Sequence, residues 1–275
     1  MAKSDKLFAA KDMYSYFYDD FVSDKKHERA LSVVENRLTD LGIQGRIDRY
    51  APFRSPKEML SDAVRKGAKT IVAVGNDDTV RKVIDAWPDF NVALGIIPIG
   101  EPSALSYFFG IPGGEAACEI LSARIIERLD LCRVNNHFFL SHLKFPREPI
   151  TVECEGRFAV TPTGGGEVRV CNFSVPKSQF DAGLDIAAAC DPRDGVLDLL
   201  VFAPDKSFLT GLKKLFIGKN GGGPDTSVFS LKKMVIRSDK PIAVMADGNK
   251  IEDTQFVVEV EPQKLKIITG SERMF

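Results

Sequence analysis

An α/β layered domain with a largely parallel sheet, followed by a mainly antiparallel β domain, is the fold class this sequence predicts. Between residues 12 and 110, strand-like and helix-like segments alternate. Two short continuous apolar runs, residues 70–74 (Thr-Ile-Val-Ala-Val) and 92–98, have the texture of strands buried on both faces of a parallel sheet. From about Arg124 the chain turns to alternating apolar and polar segments separated by turn signals. The change divides the chain into residues 1–123 and residues 124–275, and the last residues can pack back on the first domain.

The elements follow in order. Asp24 caps a helix whose apolar positions Leu31, Val34, Leu38 and Leu41 keep the helical period, and Gly42 stops it. Ser55-Pro56-Lys57-Glu58 reads as a capping box with proline at the first helical position, and Gly67 stands where a left-handed residue ends a helix. The run at 70–74 ends at Gly75, and the run at 92–98 leads to Gly100, so two strands each deliver a glycine-bearing turn to the carboxyl rim where open α/β sheets bind ligands. In the second half, strand patterns occur at 157–160, 168–175, 197–202, 235–238 and 256–260, with turns at Glu155-Gly156 and Gly164-Gly165-Gly166. A helix-like insert at 207–217 precedes the loop Gly221-Gly222-Gly223-Pro224.

Composition excludes several classes. The 275 residues are 44% apolar, enough for packed cores, and 37 basic against 38 acidic residues leave no net positive field to hold nucleic acid. The five cysteines form no C-x-x-C pair and read as reduced core residues. His137 and His142 lie five apart in a strand-like run, on opposite faces, which argues against zinc. No stretch approaches the ~18 uncharged apolar residues that span a bilayer. The default compartment is therefore the cytoplasm.

The segment that could carry chemistry is Gly75-Asn76-Asp77-Asp78-Thr79, followed by a helix with apolar Val80, Val83 and Ile84. A helix N-terminus offers unpaired N–H groups to an anion, and a carboxylate at the turn can hold Mg²⁺ on phosphates. The plainer reading is that Asp77 or Asp78 caps the helix.

Context adds to this. The segment resembles the G-G-D-G-T signature of the diacylglycerol kinase catalytic family, with Gly75, Asp77 and Thr79 matching and Asn76 and Asp78 in place of glycines. Downstream, where the family has P-x-G-T-G-N-D-F-A-R and G-I-P, this chain has Pro98-Ile99-Gly100-Glu101-Pro102-Ser103 and Gly110-Ile111-Pro112. Leu129-Asp130-Leu131 and Asn135 to Leu140 resemble further family segments. Asp191-Pro192-Arg193-Asp194-Gly195-Val196-Leu197-Asp198 is similar to D-P-x-D-G-x-L-D, and Ala246-Asp247-Gly248-Asn249 is similar to the D-G-E motif. Several motifs in family order, over roughly 65–262, are more specific than any one of them.

The resemblance implies the two-lobed fold shared with sphingosine and NAD kinases, with a β-sandwich-like second lobe. It also implies transfer of the γ-phosphate of ATP to a lipid hydroxyl, such as that of diacylglycerol or a sphingoid base. Gly75, Asn76, Asp77, Thr79, Gly100 and Ser103 would bind the nucleotide, Asp77 and Asp198 would hold Mg²⁺, and Asp247 would be the general base. On that reading Asp247→Ala stops turnover with little loss of fold. Contact with a membrane surface would be transient, through Phe108, Phe109 or the 218–224 loop, and pairing of β edges between second domains would give a homodimer.

The departures weaken the cradle. Asn76 adds a side chain where backbone should approach phosphate, Asp78 and Glu101 add negative charge, and Pro102 removes an N–H donor. After the first strand, where the family has N-P-x-S-G, this chain has the acidic, glycine-free Tyr18-Asp19-Asp20-Phe21-Val22-Ser23-Asp24, with Lys25 and Lys26 as candidate cations. Two alternatives to an active lipid kinase stand beside it: a degenerate relative that binds nucleotide or lipid without turnover, and an NAD kinase-like enzyme. The D-P-x-D-G-x-L-D stretch favours the lipid branch.

Overall fold

The computed structural model describes residues 14–50, 53–87, 89, 91–101, 103–162, 166–174, 190–203 and 226–275. The helix-like insert at 207–217, the glycine loop that follows it, and Pro102 lie outside these residues. Two compact units form: one runs to Leu129 and includes Lys264–Phe275, and the other is Asp130–Gln263.

The first unit is built on β1 (Tyr14–Tyr18), β2 (Arg46–Arg49), β3 (Thr70–Gly75) and β4 (Ala93–Pro98). They pair in the order β2, β1, β3, β4, all parallel, and Lys266 and Ile267 continue the sheet beside β4. The β-branched run of β3 is buried on both faces, as expected of a central parallel strand. The helices are α1 (Glu28–Asp40), α2 (Pro56–Arg65), α3 (Asp77–Asp85), the short α4 (Ala104–Phe108) and α5 (Glu115–Ala123). The chain steps outward from β1 to β2, then back across β1 to β3. Right-handed crossovers therefore put α1 on one face and α2 and α3 on the other, and α1 packs with α5 while α2 packs with α3. The connections leaving β1 and β3 thus diverge, which makes the crevice between their carboxyl ends a topological switch point.

Two helix starts differ from the sequence expectation. Two 3₁₀ turns, Asp20–Ser23 and Lys25–His27, precede α1, so Asp24 stands at the N-cap of the second turn, without a side-chain capping bond, and the helix begins three residues later than a cap at Asp24 implies. Ser55 and Pro56 do open α2, but the Ser55 side chain makes no capping bond. The terminal segment is fixed by close backbone contact: the Gly270 N–H donates to the Phe109 carbonyl, and a Cβ on Gly270 would lie 1.9 Å from the Gly110 oxygen. Phe108 and Phe109 are buried there, Phe108 stacking on Phe275, so neither is the exposed membrane contact that the sequence allowed.

The second unit is antiparallel: β5 (Ile126–Val134), which enters it at Asp130, pairs with β6 (His137–Phe139), and β8 (Thr151–Cys154) pairs with β9 (Phe158–Val160). Strands β10 (Val168–Cys171), β11 (Leu197–Phe202) and β12 (Thr226–Leu231) pair in sequence order, and β10 also pairs with β7 (His142–Lys144). The long strand β13 (Lys233–Ala246) pairs along its length with β14 (Asn249–Ile268), across an irregularity between Arg237 and Ile242. One end of β13 pairs with β8 (Thr151–Cys154) and the other with β7, so the bent hairpin serves two groups of strands around a shared core that includes Val152, Leu199, Ile236 and Phe256. This is the sandwich-like second domain. Among the described residues, no helix is long and apolar enough to cross a membrane.

Candidate functional site

The switch-point crevice of the first unit is lined by the turns after β1, β3 and β4. A Cβ on Gly75 would stand 2.1 Å from Thr79 Oγ1, so only glycine lets the chain turn this tightly into α3. Asn76, rather than Asp77 or Asp78, caps that helix: its Oδ1 accepts from the Thr79 N–H at 3.2 Å, and Thr79 Oγ1 accepts in return from the Asn76 N–H at 3.2 Å. The Thr79 proton goes to Asp19 Oδ2 at 2.8 Å. Thr79 is wholly buried, and these bonds engage its hydroxyl inside the protein.

Asp19 stands at the centre of this arrangement although it is only 1% exposed. Its carboxylate accepts from Thr79, from Lys82 Nζ at 2.8 and 2.9 Å, and from the Asp20 N–H at 2.9 Å. Burial opposes its ionisation, but the bonds from Lys82, Thr79 and Asp20 outweigh burial and hold the carboxyl below its ordinary value of 3.8. Lys82 also lies over the Tyr50 ring, 4.9 Å from its centroid. The sequence marked this acidic segment only as a departure. The signal for a buried carboxylate is the lysine three residues beyond Thr79, one helical turn along the same face of α3.

Asp77 turns away from its own helix. It accepts from the Ala104 N–H at 2.9 Å, the Leu105 N–H at 3.3 Å and the Ser103 hydroxyl, so it ties the turn after β3 to the first residues of α4. The Ser103 oxygen accepts in turn from the Ser106 N–H at 2.9 Å. Gly100 is left-handed, with φ of +96°, and a Cβ there would come 3.4 Å from the His27 ring, which packs edge-on to Phe21. Gly75, Asn76, Asp77, Thr79, Gly100 and Ser103 therefore all lie on one rim. Asp78 is exposed and paired with Arg81.

Asp198 and Asp247 belong to the second unit. Asp247 occupies a left-handed turn with φ of +47°, followed by Gly248 at +96°, the geometry of a tight hairpin between β13 and β14. Its carboxylate accepts from three consecutive backbone N–H groups: Leu140 at 2.6 Å, Ser141 at 3.0 Å and His142 at 2.8 Å. Asp198 is half-buried on β11 and accepts from the Ser230 hydroxyl at 2.7 Å. The neighbouring Asp130 is fully buried, bonded to the N–H groups of Gly195 and Gln263 at 2.8 Å each. Burial raises its pKa more than those bonds lower it. Asp194 is raised by burial, with Asp198, Asp130 and Asp191 adding repulsion. Among the described residues, no three His, Cys, Asp or Glu side chains are placed to hold a metal ion.

Comparison with known proteins gives this geometry a family. The diacylglycerol kinase catalytic domain model matches residues 15–134, and the YegS C-terminal NAD kinase beta sandwich-like domain model matches residues 143–269. The chain belongs to the diacylglycerol kinase catalytic-domain family of bacterial lipid kinases. A relative described as a probable lipid kinase YegS-like, from Alcanivorax borkumensis, is 24% identical over 76% of this chain and 81% of its own length. The crystal structure of a diacylglycerol kinase from Bacillus anthracis str. Sterne shares the fold, with a TM-score of 0.75 at 16% identity, covering 94% of this chain and 97% of that one. The family's glycine-rich rim thus corresponds here to one tied internally through Asp19 and Asp77.

Proposed function

We propose that this lipid kinase-like protein transfers the γ-phosphoryl group of ATP to a lipid hydroxyl, such as that of diacylglycerol or a sphingoid base. The observation that carries the reading is the bond from the Asp77 carboxylate to the Ala104 N–H, which joins the Gly75 tip and the Gly100 turn into one rim beside a switch point. Gly100 presents backbone along that rim to the phosphates, Asn76 stands beside it as the cap of α3, and Thr79 and Asp19 hold its shape.

Magnesium fits this donor set in a limited way. Asp77 Oδ2 accepts one hydrogen bond, from the Ala104 N–H, and so keeps a lone pair for a cation bound chiefly through phosphate oxygens and water. Asp198 carries one bond from a described residue and can serve likewise. When bound, Mg²⁺ would neutralise charge on the transferring phosphoryl group. The acceptor would arrive by transient contact with a membrane surface.

A second reading, nucleotide or lipid binding without turnover, is favoured by Asp247. A general base needs a lone pair aimed at the acceptor hydroxyl, whereas both Asp247 oxygens face backbone donors. The third position of the D-G-E motif is Asn249, which cannot accept a proton at neutral pH. Two measurements separate the readings: thermal stabilisation by Mg·ATP, and transfer of labelled γ-phosphate to diacylglycerol and to sphingosine. Stabilisation with product supports the kinase. Stabilisation without product supports the binding protein, and neither result would remove both.

A further inference from the structure

His27 stands on the rim, at the end of the segment that follows β1. It closes the second 3₁₀ turn and is the N-cap residue of α1, where its side chain makes no capping bond. The ring instead packs edge-on to Phe21, with 5.6 Å between centroids, and faces the turn after β4. Its Cε1 and Nε2 lie 3.4 and 3.9 Å from where a Cβ on Gly100 would stand, so the edge bearing Nε2 is the one turned to the Gly100 backbone. His27 is half-buried there, whereas Lys25 and Lys26, the cations that the sequence offered in this segment, are exposed.

The turn that the ring faces is poor in donors. Gly100 is exposed and left-handed, Glu101 brings a negative charge, and Pro102 has no N–H. A phosphate resting on this turn therefore needs a donor from outside it. An imidazole provides one, in the tautomer that carries its proton on Nε2 or as the imidazolium, and a charged acceptor strengthens the bond. The segment carrying the ring is itself fixed to the turn after β3, through Asp19 and its bonds to Thr79 and Lys82.

We propose that His27 is a phosphate-binding residue of the rim, its Nε2–H donating to the phosphate chain of the nucleotide at the Gly100 turn. The inference rests on the nucleotide site proposed above and adds to it a side-chain donor where the backbone of residues 101 and 102 serves poorly. Phe21 sets the orientation of the ring.

The test is calorimetric titration of Mg·ATP into the full chain carrying His27→Phe or His27→Lys. Phenylalanine keeps a flat ring against Phe21 and Gly100 but has no donor, and lysine keeps a donor but no ring. His27→Phe is expected to weaken Mg·ATP about tenfold, with His27→Lys remaining within about threefold of wild type. A ring needed only for packing gives the reverse order, His27→Phe near wild type and His27→Lys weaker. That order overturns the proposal, as do equal affinities in the two variants. If His27→Lys does not fold, His27→Gln, which also keeps an N–H donor, takes its place with the same expected order. Failure of the wild-type chain to bind Mg·ATP is a separate result, which removes the nucleotide site itself and the role of His27 with it.

Discussion

Lys82 Nζ lies 2.8 Å from Oδ1 of Asp19, and the two residues are unequally buried: the Asp19 side chain is fully enclosed while that of Lys82 is 36% exposed. Removing the lysine strands a buried carboxylate, whereas removing the carboxylate's charge releases a lysine that can reach water. Lys82→Met is therefore expected to cost about 3 kcal/mol of stability, and Asp19→Asn, which keeps an acceptor for Thr79, about 1 kcal/mol. Urea unfolding of both variants measures the asymmetry.

The same pair sets a pH dependence. The folded-state pKa of Asp19 is depressed, so its contribution is fully present above the ordinary value of 3.8 and is lost as pH falls through the lower folded value. Acid unfolding should begin at higher pH in Lys82→Met than in wild type. An unchanged acid limb would mean that the pair contributes nothing.

Asp77 makes a different contribution, because its bonds cross from one turn to the next. Asp77→Ala leaves the Ala104 and Leu105 N–H groups without their acceptor, although Ser103 still caps α4, and should cost roughly 1–2 kcal/mol while also reducing the stabilisation given by Mg·ATP. Asp77→Asn keeps one acceptor and should lose less of both, measured by thermal unfolding with and without nucleotide.

Restoring the family's glycines separates two effects that look alike in sequence. Asp78→Gly removes an exposed charge beside the rim and should tighten Mg·ATP. Asn76→Gly removes a side chain that caps α3, so any gain in nucleotide affinity should come with a loss of a few tenths of a kcal/mol in stability. Calorimetric titration of the single variants checks both, and weaker binding by Asp78→Gly would argue against a phosphate site there.

Asp247→Ala leaves three backbone N–H groups without their acceptor and should cost about 1–3 kcal/mol. The expectation that this change spares the fold does not suit a carboxylate so engaged. Its effect on turnover is interpretable only beside a measured stability.

The parallel sheet was legible because the residues at 71–74 and 92–98 carry no polar side chain, which few other settings allow. The long β13–β14 hairpin was legible only in parts: Arg237 to Lys240 and Glu252 to Gln255 are charged or polar and mostly exposed, and they interrupt the alternation where the strands reach into solvent. On the rim, chain spacing identified the residues but not their bonds. Asp77 is adjacent to its own helix in sequence, yet its side chain reaches a loop 27 residues on, and Asp19 finds Thr79 across 60 residues. Such pairings depend on strand order, which local pattern does not encode.

Hydrogen exchange of the full chain, with and without saturating Mg·ATP, tests the nucleotide rim most directly. Slower exchange at the backbone amides of residues 75–80, 99–101 and 103–106 is the expected result. Unchanged rates in these stretches under conditions of demonstrated saturation, with protection only elsewhere, would contradict it.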